Sequence, residues 1–130
     1  MSDDIKDTPT FSSYSVNDVP AALAFYRDVL GLDASETKEG LSIKLKTGNV
    51  FLYPKEDHTP ATFTVLNFEV EDIEAAVTEL KTKGVLLEEY DNETMQADEM
   101  GVYRGKKTGN GPDIAWFKDP ANNILSVIEG

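Results

Sequence analysis

At 130 residues with 40% apolar and 28% charged side chains, the chain has one domain's length and globular composition, which excludes a fibrous or disordered polymer. No apolar run approaches the roughly 18 residues of a membrane span, and the lack of cysteine removes disulfides, thiolate nucleophiles, iron–sulfur clusters and zinc fingers. A net charge of −12 repels nucleic-acid phosphates and anionic lipid, so neither nucleic acid nor a membrane is an expected partner.

Residues 1–9 are polar and aperiodic and read as a tail, acidic where a signal peptide would be basic and then apolar, which fits a cytoplasmic protein. The single domain is expected over 10–130. Phe11 to Val16 has strand composition, and Asn17-Asp18 with Pro20 behind it forms a helix start. Val19, Leu23, Tyr26 and Leu30 make one apolar stripe that Gly31 ends. Three short strands follow, Leu32 to Ser35, Leu41 to Leu45 and Val50 to Tyr53, separated by turn-forming Lys38-Glu39-Gly40 and Thr47-Gly48-Asn49. Module one therefore spans about residues 10–54, and a linker about 55–61. Within that linker, Glu56-Asp57-His58 reads as surface decoration, since one histidine beside two carboxylates makes no multi-histidine metal site.

The pattern then recurs 54 residues on, with Val70, Asp72, Ala75 and Ala76 in register with Val16, Asp18, Ala21 and Ala22. Val65 to Val70 is the strand, Asp72 the cap, Ile73, Val77 and Leu80 the stripe, and Gly84 the stop. Strands are expected at Leu86 to Tyr90, Asp113 to Phe117 and Ile124 to Ile128, with Asp119 to Asn123 as the last turn. A long irregular stretch lies between Asp91 and Gly111, with room for a hairpin or a short helical turn. Module two spans about 62–130. Two βαβββ units, each too small to bury its own sheet, describe an α+β domain built by duplication.

Val16-Asn17-Asp18 with Ala24 to Gly31, and later Phe117 to Leu125, resemble the signatures of the vicinal oxygen chelate superfamily, which includes glyoxalase I, bleomycin resistance proteins and extradiol dioxygenases. The resemblance covers about residues 10–129. It implies two βαβββ modules curling into a U-shaped, partly open eight-stranded barrel with helices outside, a ligand or metal within the cup, and a homodimer. Enzymes of this group draw metal ligands from the first and last strands of each module. Counted from the signatures, those positions are Phe11, Leu52, Val65 and Ser126. Phe, Leu and Val donate no lone pair and an unionised Ser is a poor ligand, so no metal and no cofactor is expected. A one-residue slip, to Ser12, Tyr53, Leu66 or Val127, is no better.

If Phe11 and Val65 face the cup, strand alternation sends Ser13, Ser15, Asn67 and Glu69 there too, with Tyr14, Val16, Leu66, Phe68 and Val70 under the helices. Glu69 reads equally as a rim residue in water, and Asn67 as a structural hydrogen bonder. Trp116, the sole tryptophan, suits stacking on a planar or cationic ligand, with core packing as its other reading. Met95, Met100 and Tyr103 in the long loop form an adaptable lid or an anchor that pins the loop. The expected function is metal-independent binding of a small organic molecule, cationic or aromatic, as in the bleomycin resistance branch. Two alternatives stay open: a metal-dependent lyase or dioxygenase of the glyoxalase type, and a metal-free enzyme using Glu69 or Tyr103 as acid or base.

Overall fold

Asp18 and Asp72 each start a helix in the computed structural model, which describes residues 4–130. Asp18 Oδ1 accepts from the Ala21 N–H at 3.0 Å and Asp72 Oδ1 from the Ala75 N–H at 3.1 Å, so the repeated Asp-x-x-Ala spacing is a repeated N-cap. Of the expected tail, residues 1–3 lie outside the described residues, and Ile5–Asp7 forms a single 3₁₀ turn. None of the described helices is long and apolar enough to cross a membrane.

The chain divides into two compact units, one ending at Thr59 and the other starting at Pro60. In the first, β1 (Ser12–Val16) leads to α1 (Val19–Leu23), then β2 (Asp33–Glu36), β3 (Leu41–Leu45) and β4 (Gly48–Pro54). The sheet order is β1-β4-β3-β2, with β1 parallel to β4 and the other pairs antiparallel. In the second, β5 (Thr64–Glu69) leads to α2 (Ile73–Thr82), β6 (Leu87–Glu88), β7 (Tyr103–Arg104), α3 (Gly105–Thr108), β8 (Asp113–Lys118) and β9 (Ile124–Glu129). Its order is β5-β9-β8-β6 with β5 parallel to β9, the same path as the first unit. The architecture is α+β.

Two details depart from the sequence-based expectation, and a third fills in the stretch left open between Asp91 and Gly111. The stripe from Val19 to Leu30 winds as α-helix only to Leu23, and Ala24–Val29 continues as π-helix, with the Leu30 N–H donating to Phe25 O at 2.9 Å. The strand expected over Leu86 to Tyr90 pairs only at Leu87 and Glu88. The segment from Asp91 to Gly111 adds the two-residue strand β7, paired with β8, and the one-turn helix α3.

One face of each sheet is sealed by its helix. In the first unit, Tyr14, Val16, Leu41, Ile43, Val50 and Leu52 are buried with Ala22 and Tyr26, whose phenol meets that of Tyr14 at 2.7 Å. In the second, Ala115, Phe117, Leu125 and Val127 are buried with Ile73, Val77 and Leu80 of α2. Burial of the Val, Leu, Ile and Phe side chains among these contributes about 1.5–3 kcal/mol each. The β8–β9 turn is held from within by Asp119, 3% exposed, which accepts from the backbone N–H groups of Ala121 (2.9 Å) and Asn123 (2.8 Å) and from Asn123 Nδ2 (3.0 Å). Asn122 takes φ 65°, a left-handed conformation that asparagine tolerates best among non-glycine residues. Asp119→Ala leaves these donors unpaired in a buried turn, and chemical denaturation is expected to show a loss on the order of 2–4 kcal/mol.

Candidate functional site

The face of the second sheet turned away from α2 carries the convergent chemistry. In the register of β5, β9 and β8, Asn67 lies beside Ser126 and Ser126 beside Trp116, while β6 sets Glu88 next to Trp116. One step along the strands, Glu69 lies beside Ile128, Ile128 beside Ile114, and Ile114 beside Tyr103 of β7. Both rows stand on one face because strand side chains alternate.

Within this face the polar groups are oriented by neighbours. Ser126 Oγ, fully buried, donates to Asn67 Oδ1 at 2.5 Å, which leaves the Asn67 amide N–H groups pointing elsewhere. The Trp116 indole N–H donates to Thr64 Oγ1 at 3.0 Å. Tyr90 and Tyr103 each meet the Trp116 ring edge to face, at centroid separations of 5.6 and 5.1 Å. Glu69 is exposed and makes no hydrogen bond or ion pair within the described residues. An aromatic surface with an amide and an uncommitted carboxylate beside it can hold a planar or cationic organic group.

Burial keeps the two phenols protonated. Burial pushes Tyr103 above the ordinary phenol value; the backbone N–H of Tyr90, which donates to its oxygen, opposes this, and the hydrogen bond to Asp91 Oδ1 at 3.0 Å reinforces it. Burial first and the nearby Glu88 second raise Tyr90 as well.

The long segment is strapped to this unit by a second set of contacts. Asp91 Oδ1 accepts from the Ala97 N–H at 2.9 Å as well as from Tyr103. The Arg104 guanidinium reaches Asp98 at 2.8 Å, Glu74 of α2 at 3.1 Å and Asp113 of β8 at 3.4 Å. Asp98 Oδ1 also accepts from the N–H groups of Met100 and Val102, both at 2.9 Å. Burial pulls the Asp98 carboxyl upward, but the bonds from Arg104 and those two N–H groups outweigh it and hold it below the ordinary carboxylate value.

The positions expected to bind ligand fall in several environments. Asn67, Glu69, Trp116 and Ser126 share the face just described, and Tyr103, 3% exposed, walls it. Val65 sits at an irregularity of the β5–β9 ladder between Thr64 and Leu66, without a partner, and Thr64 takes the position opposite Ile124. In the first unit, Ser13 and Ser15 lie on the face of β1 turned away from Tyr14, and Phe11 precedes the strand, 68% exposed. Leu52 requires a correction: it pairs with Tyr14 and Leu41 and is fully buried on the helix-facing side, because the parallel β1–β4 register aligns it with the core row. Phe51 and Tyr53 occupy the other face. His58, set aside as surface decoration, instead places Nδ1 2.6 Å from Ser15 Oγ.

The donor set does not fit a divalent metal. Of the positions counted from the signatures, Phe11 and Val65 are hydrocarbon, Ser126 Oγ is already engaged with Asn67, and Leu52 lies in the core, with Phe51 and Tyr53 on the open face of β4 in its stead. Among the described residues no three His, Cys, Asp or Glu side chains come together as a metal cluster.

The family model described as Glyoxalase/Bleomycin resistance protein/Dioxygenase superfamily matches residues 11–127. Among solved structures, a glyoxalase family protein from Bacillus anthracis is similar over 100% of this chain and 99% of its own, at 17% identity and TM-score 0.69. A glyoxalase family protein from Enterococcus faecalis is 19% identical over 96% and 98% of the two chains, with TM-score 0.63. The fosfomycin resistance protein FosX from Listeria monocytogenes is 12% identical over 95% and 93%, with TM-score 0.66. These structural likenesses concern the fold. No curated protein sequence matches the chain.

The depressed Asp98 carboxyl makes the strap acid-sensitive. Its stabilisation is complete at neutral pH and is lost as the pH falls below about 4, where the unfolded-state carboxyl protonates first. Hydrogen exchange at the Met100 and Val102 amides is expected to accelerate over that acidic range, and Asp98→Asn to exchange fast at every pH.

Proposed function

The chain belongs to the Glyoxalase/Bleomycin resistance protein/Dioxygenase superfamily, and from that premise we propose that it is a metal-independent small-molecule binder. The ligand is a planar, cationic or aromatic organic molecule stacked on Trp116, with the Asn67 amide and the Glu69 carboxylate fixing its polar groups. The observation that carries this reading is the row Trp116–Ser126–Asn67 with the uncommitted Glu69 one step along, on the face turned away from α2.

A cation desolvated over a tryptophan face gains about 2 kcal/mol or more, whereas an exposed one gains about 0.5–1 kcal/mol. The strap and the two flanking tyrosines supply the partly desolvated setting, since Tyr103 is buried and Trp116 half-buried. The net charge of −12 attracts cations over distance and concentrates them near the protein. Metal-dependent lyase or dioxygenase chemistry needs electron-pair donors that Phe11 and Val65 do not carry, and the hydroxyl of Ser126 is already engaged with Asn67. In the same reading the protein acts in the cytoplasm as a homodimer.

Trp116 is the only tryptophan, so its emission reports this face alone. Titration with an aromatic cation such as benzyltrimethylammonium is expected to quench it saturably, with or without chelator. Glu69→Gln should weaken binding of that cation by roughly three- to tenfold while leaving a neutral aromatic analogue unaffected. Linear, unsaturable quenching by aromatic cations, or saturable quenching that chelator abolishes, defeats the proposal.

A further inference from the structure

Beneath the strap lies a groove of about 540 Å³, formed wholly within the second unit. Ile114 and Tyr103 line it together with Gln96, Gly105, Thr108 and Asn110. It shares Ile114 and Tyr103 with the Trp116 face, and its other lining residues lie outside the constellation assigned above. Ile114 is two residues from Trp116 on β8, a spacing of about 7 Å along a strand. The Tyr103 ring that meets Trp116 at 5.1 Å also lines the groove. Face and groove are therefore continuous at Tyr103.

The start of α3 approaches the backbone so closely that any side chain at Gly105 collides: a Cβ there would stand 2.3 Å from Pro112 O. At Gly105 the groove wall is therefore backbone packed against the backbone of Gly111 and Pro112.

Its electrostatics select the ligand. Arg104 is the one cation lining the groove, and it is shared among Asp98, Glu74 and Asp113, so its charge is already matched. No carboxylate lines the groove. Among the polar groups, Thr94 Oγ1 donates to Asn92 Oδ1 at 2.9 Å and Thr108 Oγ1 to Gly105 O at 3.2 Å. The side-chain amides of Gln96 and Asn110 make no hydrogen bond within the described residues. Each amide offers two N–H donors and a carbonyl acceptor, and the apolar surfaces of Met95, Ile114 and Pro112 lie beside them. A charged group placed here would lose hydration without gaining a counter-ion, whereas a neutral group that both donates and accepts is matched.

We infer that the groove is a second subsite of the ligand site, taking an uncharged carboxamide-bearing arm of the molecule whose aromatic or cationic part stacks on Trp116. The inference rests on the binding function proposed above and names the chemistry of the rest of the ligand. The ligand is bipartite: an aromatic cation at Trp116 and Glu69, and a neutral amide in the groove that opens at Ile114, where the Gln96 and Asn110 amides lie.

Three probes test it by Trp116 quenching: benzyltrimethylammonium, the same cation carrying a para-propanamide arm, and its para-propanoate counterpart. The propanamide is expected to bind on the order of tenfold more tightly than the armless cation, from about two net hydrogen bonds. The propanoate should bind no better than the armless cation. Gln96→Leu with Asn110→Leu, two exposed positions, should bring the propanamide down to the armless affinity and leave the armless affinity unchanged, which also shows that the fold is intact. Equal affinity of propanamide and armless cation, or tighter binding of the propanoate, overturns the groove assignment while leaving the Trp116 reading standing. Failure of all three probes to bind saturably overturns the Trp116 reading and this inference with it.

Discussion

The alignment of β5, β9 and β8 is the constraint on which the site depends. Strand side chains alternate, so one register decides at once that Phe117, Leu125 and Val127 meet α2 and that Trp116, Ser126 and Asn67 stand together on the opposite side. A slip of one residue would bury the indole under the helix and bring Phe117 and Leu125 out of the core. The cost of exposing such residues, about 1.5–3 kcal/mol for each large side chain, makes the register strongly specified. The irregularity at Val65 absorbs one extra residue without disturbing it, because pairing resumes at Leu66 and the amide of Asn67 still meets Ser126.

A second layer of order comes from charge rather than from apolar burial. The segment between β6 and β8 has too few apolar side chains to fold on its own. Arg104 gathers carboxylates from three places, the segment itself, α2 and β8, and Asp98 in turn closes its own backbone turn. Exposed ion pairs contribute little singly, but a planar guanidinium shared among partly buried carboxylates fixes geometry as well as charge. The strap thereby holds Tyr103 against Trp116 and shapes the adjoining groove, an order that would lower the entropic cost of the binding proposed above.

Much of this was legible from the amino acids, and the gaps have physical causes. The doubled Asp caps and helical stripes, 54 residues apart, are local signals, and local signals survive into the structure: both caps form the same bond to the third residue on. The facing of Asn67 and Glu69 follows from alternation along one strand. The facing of Leu52 departs from the expectation because it depends on a parallel pairing with Tyr14, 38 residues away, which turn-counting along the chain does not reveal. The same holds for His58 and Ser15, which are 43 residues apart. β7 and α3 carry no apolar period; each is only a turn or a two-residue pairing, created by neighbours already in place. The π-helical turn likewise leaves no mark on the stripe that runs through it.

Recognition by an aromatic and amide surface, without Lewis-acid help, is the core of this account, and metal calorimetry tests it most directly. Purified protein titrated with Zn²⁺, Mn²⁺, Ni²⁺ and Fe²⁺ is predicted to show no saturable binding, and the isolated protein to carry far less than one equivalent of any of them. One divalent ion per chain, bound stoichiometrically and displaced or blocked by the same aromatic cation that quenches Trp116, would contradict it.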